Sequence, residues 1–179
     1  MALHGFQHVV RWTEFKTVKS APDGSEEDAL TQAVFNTPFS SIQRTDGKWV
    51  ITPTRLSVTI RMDTQNSWVV NGRQSTPLLA HEQGHYNITA LGARDCHTDI
   101  LAIVGDSTDD VQSQVNSIVS SAQSLIASVN DMYDEDPNCG TDHGPDSSSQ
   151  AQWNLKIRNA INSPTARLAD LSICSAISP

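Results

Sequence analysis

The sequence lacks both long apolar runs and clusters of basic residues. No stretch of its 179 residues approaches the roughly 20 apolar residues that a transmembrane helix requires, so we expect no membrane span. The 12 lysines and arginines are scattered and are outnumbered by 20 acidic residues, which gives a net charge of −8. Nucleic acids and anionic membranes bind clustered positive charge, so we expect neither as a partner.

Cysteine is also scarce, and the chain contains only Cys96, Cys139 and Cys174. None of them forms a Cys-x-x-Cys pair, so a structural zinc site built from cysteines is not predicted. Three cysteines allow at most one internal disulfide and leave one thiol over. The three possible pairings cannot be ranked from the sequence.

The first residues, Met-Ala-Leu-His-Gly, have no basic segment followed by an apolar one, so no signal peptide is predicted within them. The composition nevertheless resembles that of exported proteins. Only 18% of the residues are charged, lysine is rare, and Ser, Thr, Asn and Gln are abundant. We therefore expect a secreted or periplasmic protein, seen here as a mature chain with an added methionine. A cytoplasmic location is the alternative.

The sequence does contain a His-Glu-x-x-His motif, at His81-Glu82-Gln83-Gly84-His85. Thr76 can cap a helix that begins at Pro77, so the motif is predicted to be helical. On a helix the two histidines project from one face and can converge on a single Zn²⁺. Glu82 lies about 100° further round the helix, where it can reach a metal-activated water without being a ligand. This arrangement is typical of metalloproteases.

Two histidines do not complete such a site, because catalytic zinc is held by three protein ligands. The candidates for the third ligand are Asp95, His97, Asp99, His143 and the acidic residues near Asp134. On a straight helix Asp95 would lie about 15 Å along the axis from His85, so it can contribute only if the helix breaks at Gly92. His97 would point to the opposite side. His143 lies on a polar loop, where side chains are usually exposed, so these residues alone leave the third ligand open.

Periodicity predicts strands before the motif and helices after it. Alternation over residues 6–15 and, more strictly, over Leu56–Met62 predicts strands of an antiparallel sheet. A helix is predicted over 77–104. A second is predicted over 107–132, because Ser107 begins a capping box and apolar residues from Val111 to Met132 recur at helical spacing as a core stripe. A last helix is predicted to end before Pro164. Strands followed by helices indicate the α+β class, and the length suits one domain over residues 1–179.

Several segments of the chain resemble one protein family. They are Ser67-Trp68-Val69, Leu78-Leu79-Ala80 together with the His81-Glu82-Gln83-Gly84-His85 motif, Tyr133-Asp134, Thr141-Asp142-His143-Gly144 and Gln152-Trp153. On these residues the chain resembles a mostly bacterial domain-of-unknown-function family, described as predicted secreted zinc-dependent proteases. In that family Tyr-Asp lies only a few residues before Thr-x-His-Gly, whereas here residues 135–140 separate the two elements.

The resemblance implies a zincin-like fold. In such a fold an antiparallel sheet from the N-terminal half would pack on the helix of the motif and on further C-terminal helices. The resemblance also implies that His81, His85 and His143 hold Zn²⁺. Glu82 would then act as the general base towards a metal-activated water.

The function expected from these features is that of a zinc-dependent endopeptidase with a peptide or protein substrate. In this scheme Tyr133 is a candidate donor to the developing oxyanion, and Asp134 is a candidate acceptor that orients a ligand histidine. The Leu56–Met62 strand would lie beside the cleft and pair with an extended substrate. The alternatives are a catalytically inactive zincin-fold binding module and a zinc hydrolase of a non-peptide substrate. The sequence predicts neither the cleavage specificity nor the oligomeric state.

Overall fold

The computed structural model describes residues 3–22, 24–144 and 147–172. Within them the chain has mixed helix and strand content, which confirms the predicted α+β class. The described strands are β1 (Leu3–His4), β2 (Lys16–Val18), β3 (Ala29–Leu30), β4 (Ala33–Asn36), β5 (Ile42–Gln43), β6 (Trp49–Val50), β7 (Val58–Met62), β8 (Trp68–Val70) and β9 (Val104–Gly105). The helices are α1 (Thr76–Leu101), α2 (Thr108–Glu135) and α3 (Ser147–Asn162), and short 3₁₀ segments cover Trp12–Glu14, Pro53–Arg55 and Leu168–Ser172.

The strands form three separate three-stranded sheets, ordered β1-β7-β4, β2-β8-β3 and β5-β6-β9. β1 runs parallel to β7 and β2 runs parallel to β8, while the other pairs are antiparallel. The prediction of one antiparallel sheet is therefore wrong for the described residues. Most strands have only two to four residues, so each hydrogen-bonded ladder is short.

β7 is the longest strand, and its alternating sequence predicted it correctly. Val58, Ile60 and Met62 are buried, whereas Thr59 and Arg61 between them are more exposed. β7 is however the central strand of its sheet, paired with β1 on one side and with β4 on the other. The expectation that this strand pairs with a substrate is therefore wrong. In the described part of the chain, β4 is an edge strand of that sheet.

Residues 6–15 do not form the predicted strand. Their backbone binds a side chain of α1 instead. The amide of Val10 donates to Gln83 Oε1 at 2.8 Å, and Gln83 Nε2 donates to the carbonyl of His8 at 3.1 Å. A side-chain amide thus takes the place of a partner strand, which is why the partial alternation predicted the wrong element.

α1 is a single helix that passes through Gly92 without a break. Its N-cap is Ser75 and not the predicted Thr76, because the helix begins one residue earlier. The Ser75 hydroxyl accepts a hydrogen bond from the amide of Leu78 at 3.2 Å. Side chains on all faces of its middle turns are buried, as expected for a helix enclosed by other elements. No helix in the described residues is long and apolar enough to cross a membrane.

α1 separates two clusters of apolar side chains. One cluster, which includes Val58 and Tyr86, lies between α1, the strands and the first half of α2. The other, which includes Tyr133 and Trp153, lies between α1, the second half of α2 and α3. α2 begins after the predicted cap, Ser107, and its apolar stripe is confirmed as core. The second cluster holds the C-terminal end of α2 beside the His-Glu-x-x-His motif.

Two of the three cysteines have defined states. Cys139 is disulfide-bonded, whereas Cys96 is a free thiol buried in α1. Burial raises the pKa of the Cys96 thiol to about 12, so it stays neutral and unreactive at physiological pH. Cys174 lies outside the described residues.

Candidate metal centre

Three potential metal ligands converge near the start of α1 and the end of α2. His81 Nε2 and His85 Nε2 lie 3.0 Å apart, and Asp134 Oδ1 lies 3.2 Å from each of them. These three atoms form a nearly equilateral triangle, called the ligand triangle below. Among the described residues it is the one group of His, Cys, Asp and Glu side chains that could hold a metal.

The ligand triangle fits a small divalent metal. Zinc binds imidazole nitrogen and carboxylate oxygen at about 2.0–2.2 Å in a tetrahedral arrangement, which separates neighbouring ligand atoms by about 3.3 Å. The observed edges of 3.0 and 3.2 Å are close to that value. Asp134 Oδ1 is buried and makes no hydrogen bond of good geometry. Such an oxygen is costly unless a cation or a proton satisfies it.

His85 is oriented by α2. Its Nδ1 donates a hydrogen bond to Asn130 Oδ1 at 2.9 Å, so in the neutral ring the lone pair lies on Nε2, inside the ligand triangle. The ring also lies edge-on to Tyr133, with 5.0 Å between the ring centroids. Asn130 and Asp134 are four residues apart on α2, so one helix face carries one potential ligand and orients another.

His81 is oriented by the loop after α2 and by α3. His81 Nδ1 lies 3.2 Å from both Thr141 Oγ1 and Gln150 Oε1. The Thr141 hydroxyl donates to the carbonyl of Tyr133 at 2.9 Å, so towards His81 it accepts, as the Gln150 carbonyl oxygen also must. His81 Nδ1 therefore carries the proton, and the lone pair of Nε2 is left for a metal.

Asp134 and His85 shift each other's pKa, and His81 contributes to the shift of Asp134. Burial by itself would lower the pKa of His85, but Asp134, with smaller contributions from Glu82 and Asn130, raises it to about 9. Burial would raise the pKa of Asp134, but the two imidazoles hold it well below its usual range. The centre therefore contains an ionised Asp134 carboxylate, whose negative charge needs a positive charge close by. A bound metal cation can provide that positive charge in place of a protonated imidazole.

Glu82 is a further buried polar group at this centre. The residue is 1% exposed, and its Oε2 has no hydrogen-bond partner. With His81, His85 and Asp134 it lines a cavity of about 30 Å³, which is room for about one water molecule. A buried carboxyl oxygen without a hydrogen-bond partner is costly, and this one lies beside a water-sized cavity.

Tyr133 lies behind the histidines and not in the cavity. Its ring stacks on His81 with 4.8 Å between centroids and 10° between planes. Its hydroxyl donates to the carbonyl of His81 at 3.2 Å and accepts from Gln150 Nε2 at 2.6 Å. Burial raises the pKa of the Tyr133 hydroxyl above its usual range. The structure does not bring this hydroxyl to a place where a substrate oxyanion could reach it, and its contacts position His81 instead.

Gly84 makes the stack possible, because Tyr133 lies directly against the backbone of α1. A Cβ at position 84 would lie 2.3 Å from Tyr133 Oη and 2.5 Å from Tyr133 Cζ, closer than packed atoms approach. We expect Gly84→Ala to displace Tyr133 from His81, to lower the free energy of unfolding by about 1–3 kcal/mol, and to weaken metal binding. Thermal unfolding and titration with Zn²⁺ would measure the two effects.

Gly92→Ala is the matched control, because it crowds the same helix away from the ligand triangle. A Cβ at position 92 would lie 2.5 Å from Ile126 Cγ1 and 3.1 Å from Leu168 Cδ2. This variant should also lose stability, but it should keep its affinity for Zn²⁺. Equal losses of Zn²⁺ affinity in the two variants would contradict a specific role for Gly84.

His143, the third ligand implied by the resemblance, lies at the rim of the centre. Its Nδ1 faces Glu27 Oε1 at 3.7 Å and its Nε2 faces Glu135 Oε1 at 4.0 Å. It does not belong to the group of residues that could share a metal. The last turn of α2 carries Asp134 to both motif histidines, so the structure completes the triangle with Asp134 and leaves His143 outside it.

The other candidate ligands from the sequence lie away from the triangle. Because α1 is continuous, Asp95 stays remote from the motif, where it accepts a hydrogen bond from the amide of Leu168 at 2.6 Å. Asp99 accepts one from Arg167 Nη2 at 2.5 Å. His97 is buried, and burial lowers its pKa. None of these three shares the group that could hold a metal.

A cleft of about 610 Å³ leads to the ligand triangle. One wall is the segment Leu30–Phe35, which includes part of the edge strand β4, and the other is the second half of α2. His85, Asp134 and His143 line both this cleft and the water-sized cavity. An extended peptide bound along β4 would therefore lie next to the ligand triangle.

Sequence reasoning assigned no separate role to Asn130, Thr141 or Gln150, the residues that orient the ligands. The spacing of Asn130 and Asp134 was an available signal, because two polar residues four apart beside an apolar stripe share one helix face. Thr141 belongs to the Thr-x-His-Gly element quoted for the resemblance. Nothing in the sequence around Gln150 distinguishes it from an ordinary helical glutamine.

Comparison with known proteins gives this chain no family. No protein-family model, curated protein or solved structure matches it. The candidate centre is therefore defined by its own geometry. Three ligand atoms converge, each histidine is oriented through its second nitrogen, and a buried carboxylate lies beside a cavity for one water.

Proposed function

We propose that this protein is a zinc-dependent endopeptidase in which His81, His85 and Asp134 hold the metal and Glu82 is the general base. The observation that carries the proposal is the ligand triangle, with edges of 3.0 and 3.2 Å, beside the unpaired Glu82 Oε2. Catalytic zinc sites use three protein ligands, in some enzymes two histidines and one carboxylate, and keep a position open for water or substrate.

The proposal includes a zincin-like fold and a secreted or periplasmic location, as the resemblance to predicted secreted zinc-dependent proteases implies. It differs from that resemblance in one ligand, because Asp134 replaces His143. The position of the motif helix α1 beside a cleft with an edge strand supports the fold assignment.

A bound zinc ion supplies Lewis acidity, which makes a water more acidic and polarises a carbonyl group. Residues of the chain provide the proton transfers. The Glu82 carboxylate takes a proton from the attacking water and later gives it to the amine nitrogen of the departing product, so one water molecule is consumed for each peptide bond broken. Asn130, Thr141 and Gln150 hold the ligand rings in the tautomer that leaves Nε2 free.

A peptide suits the cleft because one wall includes part of an edge strand. β4 pairs with β7 along one side, from Ala33 opposite Met62 to Asn36 opposite Thr59. No described strand pairs with its other side. Backbone groups of alternate residues point away from a partner strand, so the second side of β4 can form main-chain hydrogen bonds with an extended peptide. Such bonds hold a substrate regardless of its side chains.

Metal analysis of the purified protein and cleavage assays test the proposal together. We expect about one zinc per chain, cleavage of casein or of a mixed peptide library, loss of cleavage after a chelator removes the metal, and recovery on addition of Zn²⁺. A protein without bound metal would rule the proposal out. Bound iron in place of zinc would indicate a non-heme iron oxygenase, because those enzymes also hold their metal with two histidines and one carboxylate. Zinc without peptide cleavage would indicate a binding module or a hydrolase of a non-peptide substrate.

A further inference from the structure

His143 is not a member of the ligand triangle, yet its loop is fixed to the last turn of α2. The amide of Thr141 donates to the carbonyl of Tyr133 at 2.8 Å, and the amide of Asp142 donates to the carbonyl of Asp134 at 2.9 Å. The two bonds join the loop to the residue that supplies the third proposed ligand and to its neighbour. The position of His143 relative to the triangle is therefore set by the backbone.

The backbone of this loop has a conformation that residues with a Cβ rarely adopt. Asp142 and His143 have φ of 51° and 55°, and Gly144 has φ of 102°. A side chain at position 144 would also be crowded, because its Cβ would lie 3.2 Å from His81 Cβ. Strain of this kind persists where the surrounding structure requires it, and it is common at functional sites. Here the strained turn packs on one proposed ligand and presents His143 next to it.

The His143 imidazole lies where the cleft meets the water-sized cavity, since it lines both. Its side chain is 35% exposed, so a group in the cleft can reach it. Glu27 and Glu135 face its two ring nitrogens at 3.7 and 4.0 Å, which is too long for hydrogen bonds. The two carboxylates therefore lie near the two ring nitrogens of His143 without forming hydrogen bonds to them. An imidazole carries at least one N–H donor in either protonation state.

We propose that His143 is a catalytic residue that donates a hydrogen bond to the carbonyl oxygen of the scissile peptide. This inference rests on the proposed peptidase function, and it gives His143 the role that the buried Tyr133 hydroxyl cannot fill. When water adds to the carbonyl carbon, the electron pair of the C=O π bond moves to the oxygen. The N–H bond of His143 stays intact, and its hydrogen bond strengthens as that oxygen becomes anionic. The pair returns to form the C=O bond when the amine departs.

A ligand and a hydrogen-bond donor at position 143 have different consequences when they are removed. Loss of a ligand removes the metal or changes its coordination. Loss of a donor that acts mainly in the transition state lowers kcat and kcat/KM by the same factor, while KM and the metal are unchanged. The resemblance to zinc-dependent proteases implies that removing His143 affects the metal. The position of His143 outside the ligand triangle implies that its removal affects only the rate of cleavage.

The test compares His143→Ala and His143→Gln with the wild-type protein. Three properties are measured: the zinc content, the absorption spectrum after zinc is replaced by Co²⁺, and steady-state cleavage of one peptide that the wild type cleaves. The Co²⁺ spectrum reports the ligands and does not depend on activity. We expect normal zinc content and an unchanged spectrum in both variants. We also expect kcat to fall about 10²–10³-fold in His143→Ala, with partial recovery in His143→Gln, which keeps an N–H donor.

Other outcomes would overturn the inference. Loss of zinc or a changed Co²⁺ spectrum in a folded His143→Ala protein would make His143 a ligand. A kcat within about threefold of the wild type, in a variant that is folded and holds zinc, would remove His143 from catalysis and leave the peptidase proposal standing. A wild-type protein without zinc-dependent peptide cleavage would overturn the peptidase proposal and this inference together.

Discussion

Replacing Asp134 with alanine is expected to reduce the affinity for Zn²⁺ by about 1,000-fold, which corresponds to about 4 kcal/mol. The carboxylate supplies one of the three proposed ligand atoms, and its Oδ1 lies 3.2 Å from each histidine Nε2. A residue that only orients a ligand is worth about 10- to 100-fold in metal affinity. The size of the loss therefore separates a ligand from an orienting residue. Competition with a chromophoric chelator would measure it.

Asp131→Ala is the matched control for this variant. Asp131 lies on the same helix, lines the same cleft and is exposed, but it does not belong to the ligand triangle. The Asp131→Ala variant loses one negative charge near the site, as Asp134→Ala does, but it should bind Zn²⁺ like the wild-type protein. If Asp134→Ala kept its affinity within tenfold while His143→Ala lost its zinc, the third ligand would be His143.

Glu82→Gln is expected to lower kcat by about 10²- to 10⁴-fold while the protein keeps its zinc. Glutamine has nearly the same shape as glutamate, but its amide cannot take a proton from water. The effect should therefore be on proton transfer and not on metal binding. Cleavage rates of the two proteins, compared at equal zinc content, would measure it. Equal rates would remove Glu82 from the role of general base.

Stability gives a second measure of Glu82→Gln. The wild-type side chain has a buried Oε2 without a hydrogen-bond partner, and burying an unpaired polar atom in this way is costly. We expect the metal-free variant to unfold at a temperature no lower than the metal-free wild type. When a residue serves activity at a cost in stability, its replacement lowers activity but does not lower stability. A large fall in the unfolding temperature would instead mean that Glu82 has a structural role.

The elements that the sequence predicted best are those determined by local patterns. α2 begins after its predicted cap and buries its predicted stripe, and β7 alternates as its sequence does. The arrangement of strands into sheets was not predictable in the same way, because it depends on partners far along the chain. Residues 6–15 are the clearest example, since their alternation indicates a strand but Gln83 of α1 binds their backbone instead.

The sequence predicted the position of the candidate metal centre but did not select its third ligand. His81 and His85 are brought together by the period of one helix, so their spacing alone predicts their convergence. Asp134 and His143 reach the centre through the packing of α2 on α1, and no local pattern decides which of the two is nearer. The decisive contact is that of Tyr133 with the α1 backbone at Gly84, which sets the depth of the last turn of α2. A pair of contacting residues this far apart cannot be inferred from one sequence.

The three ligands of the triangle come from two helices, α1 and α2. A metal bound there would be a reversible cross-link between them, formed only in the folded chain, so its free energy of binding would add to that of folding. Binding of the metal would then raise both activity and stability against unfolding, and loss of the metal would lower both. If the protein is the proposed peptidase, a molecule that had lost its ion would unfold more readily and would be the first to be digested by the others.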